Sequence, residues 1–283
     1  MNLSSVAVFG GAGKIGRHVI PLLRERGLAV KALVHNTPIE NVQAIRGSMS
    51  DPEAVRAVVA GTDAVIQLAT TKEAPDTFFD VSVRGTLNIL EACRFEGTQQ
   101  LILLGGDAAF GIWFYPQPIP IDEDHHYMAY PGYYAFTKVI EEVMAQQYAF
   151  QYEVPYTILR SSWVFEKDDL LSHFSLLKNV DPAEPGHGFG EQPADVMALV
   201  EQGEERIPIL RNAAGVPYHR HIVQIEDLMQ AFALALGNPA AVDQSFNIAA
   251  PTPFLLPINF FTVDGQNFSP DNRIVFCRNC QRP

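Results

Sequence analysis

Short apolar runs alternate with amphipathic stretches through the first half of the chain. Apolar runs of strand length bounded by turn residues indicate buried strands, and apolar positions three and four apart predict helices. Their alternation predicts a parallel sheet with helices on both faces, whose ligands bind beyond the carboxyl ends of the strands. The predicted strands are Ser5–Phe9, Ala29–Val34, Gln43–Arg46, Ala64–Leu68, Leu101–Leu104 and Tyr156–Arg160, and the predicted helices are one opening near Gly16, Asp51–Ala60, Phe78–Phe95 and Gly132–Gln151.

The pattern is looser after Glu166. Residues 251–283 are rich in Pro, Asn and Phe and show neither a helical nor a strand period. We therefore predict a sheet domain over residues 1–165, to which segments near 206–250 return, and a smaller lobe with an irregular tail over 166–283. In the second half we expect a loop over Asp181–Gln192, helices over Ala194–Gln202 and Ile225–Leu236, and strands over Arg206–Leu210 and Gln244–Ile248.

The amino-acid composition limits the kinds of partner that the protein is expected to bind. The 283 residues include 32 acidic and 20 basic side chains, for a formal net charge of −12. That balance argues against nucleic acid or an anionic membrane surface as the main partner. No segment approaches the roughly 18 unbroken apolar residues of a membrane span, and the first apolar run is too short for a leader peptide.

The chain has three cysteines, Cys93, Cys277 and Cys280, too few for a disulfide framework, which indicates a reducing compartment and a cytoplasmic protein. The Cys277–Cys280 pair lacks a second pair of ligands for zinc. The adjacent His125 and His126 are interpreted as part of a solvated loop rather than a metal site. We therefore expect no metal.

Three glycines spaced three apart follow the first strand and open the first helix. They are Gly10, Gly13 and Gly16. Such a turn lets backbone N–H groups and a helix N-terminus approach a pyrophosphate closely. We expect Gly10 to permit the tight turn, Gly13 to leave room for phosphates and Gly16 to let the helix pack closely against the strand. A glycine-rich loop without a ligand is the alternative.

Tyr134 and Lys138 lie four residues apart in the helix predicted after the fifth strand. Positions i and i+4 share one helical face. The lysine ammonium stabilises a tyrosinate there and lowers the pKa of the phenol, so that Tyr134 can exchange a proton with a substrate oxygen. The alternative is a surface pair with no chemistry, but the position of the pair after a dinucleotide turn favours catalysis.

Together these features resemble the extended short-chain dehydrogenase/reductase family, the NAD-dependent epimerase/dehydratase group. The resemblance covers about residues 3–250. It implies a Rossmann-type doubly wound parallel sheet with a small C-terminal substrate lobe. It also implies NAD or NADP as cofactor and a sugar, nucleotide sugar or related hydroxy/carbonyl compound as substrate. Further matching segments are Gly61–Ala69, Val83–Ala92, Ile158–Arg160 and Arg220–Leu228.

The resemblance also implies the residues of the site. Tyr134 is the catalytic acid/base, and Lys138 is its partner and a ribose ligand. A homodimer is implied as well, in which helices Phe78–Phe95 and Gly132–Gln151 form a four-helix bundle. The expected cofactor contacts are Gly10, Gly13, Lys14, Ile15, Gly16, His35, Ser48, Met49, Leu68, Ala69 and Thr70, with Tyr134 and Lys138, and the expected substrate contacts are Thr71, Asp107, Trp163 and Arg220. For Arg220, a surface arginine is the alternative.

The sequence departs from the family pattern at the expected catalytic hydroxyl. Gly106 stands where the family has Ser or Thr, which removes a hydrogen-bond donor commonly worth about 10²–10³-fold in rate. Asp107 is adjacent, and Thr70 or Thr71 is a candidate source of the hydroxyl. Other departures are Ser48, Gln67, Ser82, Trp163 and Glu166.

The choice between NAD and NADP stays open. No Asp or Glu follows the second strand to bind a ribose 2′-hydroxyl, and no Arg follows it to bind a 2′-phosphate. The missing carboxylate favours tolerance of NADP, with Lys14, Arg17 or His35 as candidate phosphate partners. Two other functions remain as alternatives: a dinucleotide-binding regulator with little catalysis, and a non-sugar carbonyl reductase.

Overall fold

The structure is a computed structural model that describes residues 1–112, 120–169, 175–180, 194–206 and 219–251, together with the strand at 254–255. The chain divides into two compact units. The first contains Met1–Trp163 and Ile225–Ala249, and the second contains the described parts of Val164–Gln224 and of Ala250–Arg273. The segment that returns to the first unit thus begins at Ile225, whereas the sequence indicated a return from near residue 206.

The first unit is built on seven parallel strands. Their order across the sheet is β10-β6-β5-β4-β1-β2-β3. Because strand order reverses between β1 and β4, a crevice forms there at the carboxyl edge of the sheet. The strands are β1 (Ser5–Phe9), β2 (Ala29–Val34), β3 (Gln43–Arg46), β4 (Ala64–Gln67), β5 (Gln100–Gly106), β6 (Tyr156–Ser161), β7 (Trp163–Phe165), β8 (His219–Arg220), β9 (Ile222–Gln224), β10 (Gln244–Ile248) and β11 (Phe254–Leu255).

Seven α-helices lie in the described residues. They are α1 (Gly16–Glu25), α2 (Pro52–Val59), α3 (Gly85–Glu96), α4 (Tyr133–Tyr152), α5 (Leu176–Asn179), α6 (Ala194–Glu201) and α7 (Ile225–Ala235). A π-helical turn, Phe79–Arg84, leads into α3, so the predicted single helix over Phe78–Phe95 has two parts. None of the described helices is long and apolar enough to cross a bilayer.

Local signals in the sequence explain where the helices begin and end. The Asp51 carboxylate accepts hydrogen bonds from the backbone N–H groups of Glu53 and Ala54, and Pro52 occupies the first turn of α2. Both are favourable N-terminal features, because the first N–H groups of a helix lack partners and proline has no N–H to lose. Helix α3 ends at Glu96 and is capped by Gly97, whose φ of +67° is a left-handed conformation that favours glycine.

The central strands are buried on both sides. Every residue of β4 and β5 is buried, as expected for parallel strands covered by helices on both faces. The hydrophobic core includes Phe9, Val65, Leu101 and Ile158. It fixes the strand ends, and therefore the loops that carry the candidate site residues.

The second unit contains two short two-stranded sheets, β7 with β9 and β8 with β11. Arg220 lies opposite Phe254 in the antiparallel β8–β11 pair. The predicted loop Asp181–Gln192, residues 207–210 of the predicted strand Arg206–Leu210, and the Cys277–Cys280 pair lie outside the described residues.

Candidate functional site

The glycine turn after β1 lies in the crevice where strand order reverses. Gly10 has a φ of +82°, and a Cβ there would lie 2.6 Å from the backbone nitrogen of Ala69 in the loop after β4. A Cβ at Gly16 would overlap the carbonyl oxygens of Gly10 and Gly11. Both positions therefore require glycine for close backbone packing.

Gly13 has a different environment. Its N–H donates to the Gly10 carbonyl at 3.1 Å, and a Cβ at Gly13 would meet only that oxygen, at 3.3 Å, among the described atoms. Within the described residues, no side chain caps the N-terminus of α1 and no acidic residue lies in its first turn. The open face at Gly13 and the positive end of the helix dipole suit a diphosphate.

Gln67 shapes the loop after β4. Its side chain is 1% exposed, donates to the Ala69 carbonyl at 2.9 Å and accepts from the Ala69 N–H at 3.1 Å. It also donates to the Thr86 hydroxyl at 3.3 Å. Sequence comparison with the family identified Gln67 as a departure, and the structure shows that it fixes the backbone that Gly10 approaches.

A cluster of hydroxyl groups follows in the same loop. Ser82, fully buried in the π-helical turn, accepts from the Thr71 N–H at 3.1 Å and lies 3.3 Å from the Thr71 hydroxyl. The Thr70 hydroxyl is 3.4 Å from the same oxygen. Further along, the Glu73 carboxylate accepts from the Tyr133 N–H at 2.8 Å at the start of α4. The loop is therefore anchored to both helical segments.

Tyr134 lies in the first turn of α4, with its phenol at the carboxyl end of β5. A Cβ on Gly106, the last residue of β5, would lie 3.7 Å from the phenol oxygen and 3.8 Å from the Ser161 carbonyl. Tyr134 is half-buried, whereas its neighbour Tyr133 is exposed and stacks on Phe78. The geometry places a tyrosine hydroxyl at the edge of the sheet that also carries the glycine turn.

Lys138 lies one helical turn further along α4 and is buried. Its ammonium donates to the Leu104 carbonyl and to the Glu141 carboxylate, both at 2.9 Å, and lies 5.9 Å from the centroid of the Tyr134 ring. Burial disfavours the ammonium, but the charges of Glu141 and Tyr134 outweigh burial, and the pKa of Lys138 is raised. The lysine is therefore a permanent cation beside the tyrosine.

A second buried ion pair lies next to the first. The Arg160 guanidinium donates to the Glu142 carboxylate at 2.7 Å, and Glu142 also accepts from the Tyr127 hydroxyl at 3.1 Å. Burial and the Glu142 charge raise the pKa of Tyr127 to about 12, which keeps this phenol protonated. Arg160 further donates to the Glu123 carbonyl at 2.7 Å, so the segment before α4 is bound to β6.

The remaining predicted site residues lie at the strand ends in varied surroundings. His35 is exposed after β2, and the hydroxyl of half-buried Ser48 is 2.8 Å from that of Ser50. Met49 is 5% exposed and packs so closely on Gly85 that its side chain belongs to the core.

The other predicted contacts are spread over the same edge and beyond it. Leu68 is buried after β4, Asp107 is half-buried after β5, and Trp163 is half-buried at the start of β7. Arg220 is the second residue of β8. Among the described residues, no group of His, Cys, Asp and Glu has the arrangement of a metal site.

Comparison with known proteins decides the family. Residues 6–173 match the NAD dependent epimerase/dehydratase family. The chain belongs to this family. Its relatives include UDP-glucose 4-epimerase 3 of Oryza sativa subsp. japonica, 26% identical over 86% of this chain and 68% of the relative. Another is the 2-alkyl-3-oxoalkanoate reductase of Stenotrophomonas maltophilia, 31% identical over 48% of this chain and 44% of the relative. The chain thus spans about two thirds of the first relative and less than half of the second.

A solved structure has the same fold as this chain. It is a short-chain dehydrogenase/reductase superfamily protein of Agrobacterium tumefaciens with bound NAD, 25% identical, with a TM-score of 0.76 over 89% of this chain and 79% of the other. The likeness agrees with the seven-stranded parallel sheet. The predicted family and the predicted Rossmann-type fold are both confirmed.

Proposed function

We propose that the protein is an NAD(P)-dependent oxidoreductase, epimerase or dehydratase that acts on a sugar, a nucleotide sugar or a related hydroxy/carbonyl compound. The observation that carries the proposal is the Tyr134 phenol at the end of β5, beside the Lys138 ammonium and on the same sheet edge as the glycine turn. A bound nicotinamide dinucleotide supplies hydride acceptance and donation.

The residues of the chain divide this work. The turn at Gly10, Gly13 and Gly16 binds the diphosphate through backbone N–H groups. Tyr134 accepts a proton from the substrate oxygen or donates one to it. Lys138 favours the ionised phenol by its charge.

The substrate class rests on the relatives. The Oryza sativa relative is a UDP-glucose 4-epimerase, which makes UDP-glucose and UDP-galactose the first substrates to test. The Stenotrophomonas maltophilia relative is a reductase of a 2-alkyl-3-oxoalkanoate, which supports a non-sugar carbonyl substrate as the second candidate. Either substrate offers an oxygen that gains or loses a proton as hydride moves at its carbon.

The experiment compares wild type, Tyr134→Phe and the adjacent control Tyr133→Phe. Binding of NAD and of NADP is measured by calorimetry, and turnover is measured with UDP-hexoses and with a panel of ketones. We expect Tyr134→Phe to bind the dinucleotide but lose turnover, and Tyr133→Phe to keep both. Full activity of Tyr134→Phe contradicts the acid/base role, and failure of wild type to bind either dinucleotide contradicts the whole proposal. Binding without turnover on every substrate supports the regulatory alternative.

We also propose that the protein is a homodimer of cytoplasmic location. The neighbouring segments that form the π-helical turn, α3 and α4 carry exposed apolar side chains. In α4 they recur every seven residues, which makes a continuous stripe along a helix. A second copy of the chain would bury these side chains in the four-helix bundle that the family resemblance implies, to which each protomer contributes two helices. The residues are Phe79, Leu87, Phe95, Phe136, Val143 and Phe150.

A further inference from the structure

The Lys138 ammonium forms an ion pair with a residue of its own helix, α4. Lys138 and Glu141 lie three residues apart, and their side chains are 3% and 1% exposed. The ammonium donates to one carboxylate oxygen of Glu141 and to the Leu104 carbonyl, each at 2.9 Å. The other carboxylate oxygen is buried and has no hydrogen-bond partner among the described residues. Within that part of the chain, the contact with Lys138 is thus what holds the buried carboxylate.

Four charged side chains are buried together behind Tyr134. Lys138 pairs with Glu141, and Arg160 pairs with Glu142, whose side chain is fully buried. The Tyr127 phenol bonds to the second pair, and half-buried Asp107 follows β5. The two pairs carry no net charge. A Lys138 ammonium that kept its proton without Glu141 would instead present an uncompensated positive charge to the phenol of Tyr134.

We propose that Glu141 is a positioning residue that holds the Lys138 ammonium against the Leu104 carbonyl and offsets its charge at Tyr134. This inference rests on the proposed role of Tyr134. With the offset in place, the phenol retains its proton to a higher pH than it would beside an unpaired lysine. Glu141 therefore favours the form of Tyr134 that donates a proton to a substrate oxygen.

The size of the effect follows from electrostatics. At the effective dielectric constant that describes protein sites, two unit charges several ångströms apart interact strongly enough to shift a pKa by about one unit. One pKa unit corresponds to about 1.4 kcal/mol. Removing the Glu141 charge while keeping its shape should lower the titration midpoint of Tyr134 by about one pH unit.

The test observes the phenol directly. Protein labelled with ¹³C at the tyrosine ζ carbon is titrated by NMR, and the resonance that disappears in Tyr134→Phe is assigned to Tyr134. We expect the midpoint of this resonance to fall by about one pH unit in Glu141→Gln. Glu91→Gln is the matched control, because Glu91 also accepts from a tyrosine, Tyr148 at 2.6 Å, but lies on α3.

A second variant separates the charge effect from a loss of packing. Glu141→Asp keeps the charge but withdraws it by one methylene, so its midpoint should lie between those of wild type and Glu141→Gln. It also serves as the test if the Gln variant does not fold. A merely structural role would lower the unfolding temperature and leave the midpoint unchanged, which would overturn the inference. Because the titration needs no substrate, absence of turnover counts against the proposed function alone.

Discussion

Gly106 faces the hydroxyl of Tyr134 across a gap that a side chain can enter. A Cβ on Gly106 would lie 3.7 Å from the phenol oxygen, an ordinary van der Waals distance, and the residue has an extended backbone with φ of −162°. The chain therefore has space for a Cβ at the position where the family resemblance implies Ser or Thr, but carries no side chain there.

We expect Gly106→Ser to raise turnover, because the new hydroxyl donates a hydrogen bond to the substrate oxygen beside Tyr134. Donors at such positions are worth about 10²–10³-fold in rate. The measurement is kcat and KM on a substrate that wild type converts. Gly106→Ala fills the same space without a donor and is the control. Equal rates for the Ser and Ala variants would show that the hydroxyl is supplied elsewhere, with Thr70 and Thr71 as the candidates.

Two glycines of the turn should respond differently to alanine. A methyl group at Gly16 overlaps the carbonyls of Gly10 and Gly11, so Gly16→Ala should cost about 1–3 kcal/mol of unfolding free energy. At Gly13 the added methyl meets the Gly10 carbonyl oxygen at 3.3 Å, so Gly13→Ala should cost less unfolding free energy than Gly16→Ala. It should bind dinucleotide about tenfold more weakly, ~1.4 kcal/mol. Urea unfolding and calorimetry measure the two effects. A normal dinucleotide affinity in Gly13→Ala would place the phosphates elsewhere.

The exposed apolar stripe on α4 predicts which substitutions should prevent dimerisation. Phe136 and Phe150 are 50% and 85% exposed, so a charge at both positions would be buried in the proposed interface. We expect the double variant Phe136→Glu, Phe150→Glu to sediment as a monomer at concentrations where wild type is a dimer. Leu234→Glu, at a 50% exposed position on α7, is the control and should remain dimeric. A monomeric wild type would rule out the interface.

Asp63 should make stability depend on pH. Hydrogen bonds from the Ser4 and Ser5 hydroxyl and N–H groups lower the pKa of its carboxyl to about 2, below the 3.8 of an unstructured chain. Because the native state binds the proton more weakly, this contribution is present above about pH 4 and is lost as pH falls toward 2. Asp63→Asn should therefore be less stable than wild type at neutral pH, with the difference shrinking in acid. Urea unfolding at several pH values measures it.

A matched variant checks that the effect belongs to Asp63. Asp80 lies in an exposed ion pair with Arg84, and such pairs contribute little to stability. Asp80→Asn should track wild type at every pH. A constant difference between Asp63→Asn and wild type across the range would contradict the role given to Asp63.

The sequence was informative where the signal is local. The bounds predicted for β1, β2, β3 and β10 agree with the structure, because each is a short run bounded by turn residues. The alternation of elements predicts that these strands lie in one parallel sheet, but not their order across it. The contact of Lys138 with Glu141 spans one helical turn and could also have been read from spacing.

Contacts between distant segments could not be read in this way. β5 was predicted to end at Leu104, but it continues through Gly106 in register with β6. The hydrogen bond from the Thr71 N–H to Ser82 depends on a π-helical turn that no spacing rule indicates. Met49 was itself predicted to contact the cofactor, which stays a prediction; that its side chain fills space beside Gly85 could not be read from the sequence. Each of these features depends on tertiary packing rather than on nearby sequence.

The bare backbone of Gly105 lies directly under the Glu142 carboxylate, and a Cβ there would collide with Oε1 of that side chain. A protein descended from the same ancestor that acquired any larger residue at 105 would have to move or replace the acid at 142, which is the counterion of Arg160. Substitutions at these three positions should therefore be correlated through evolution, arising as a set rather than singly.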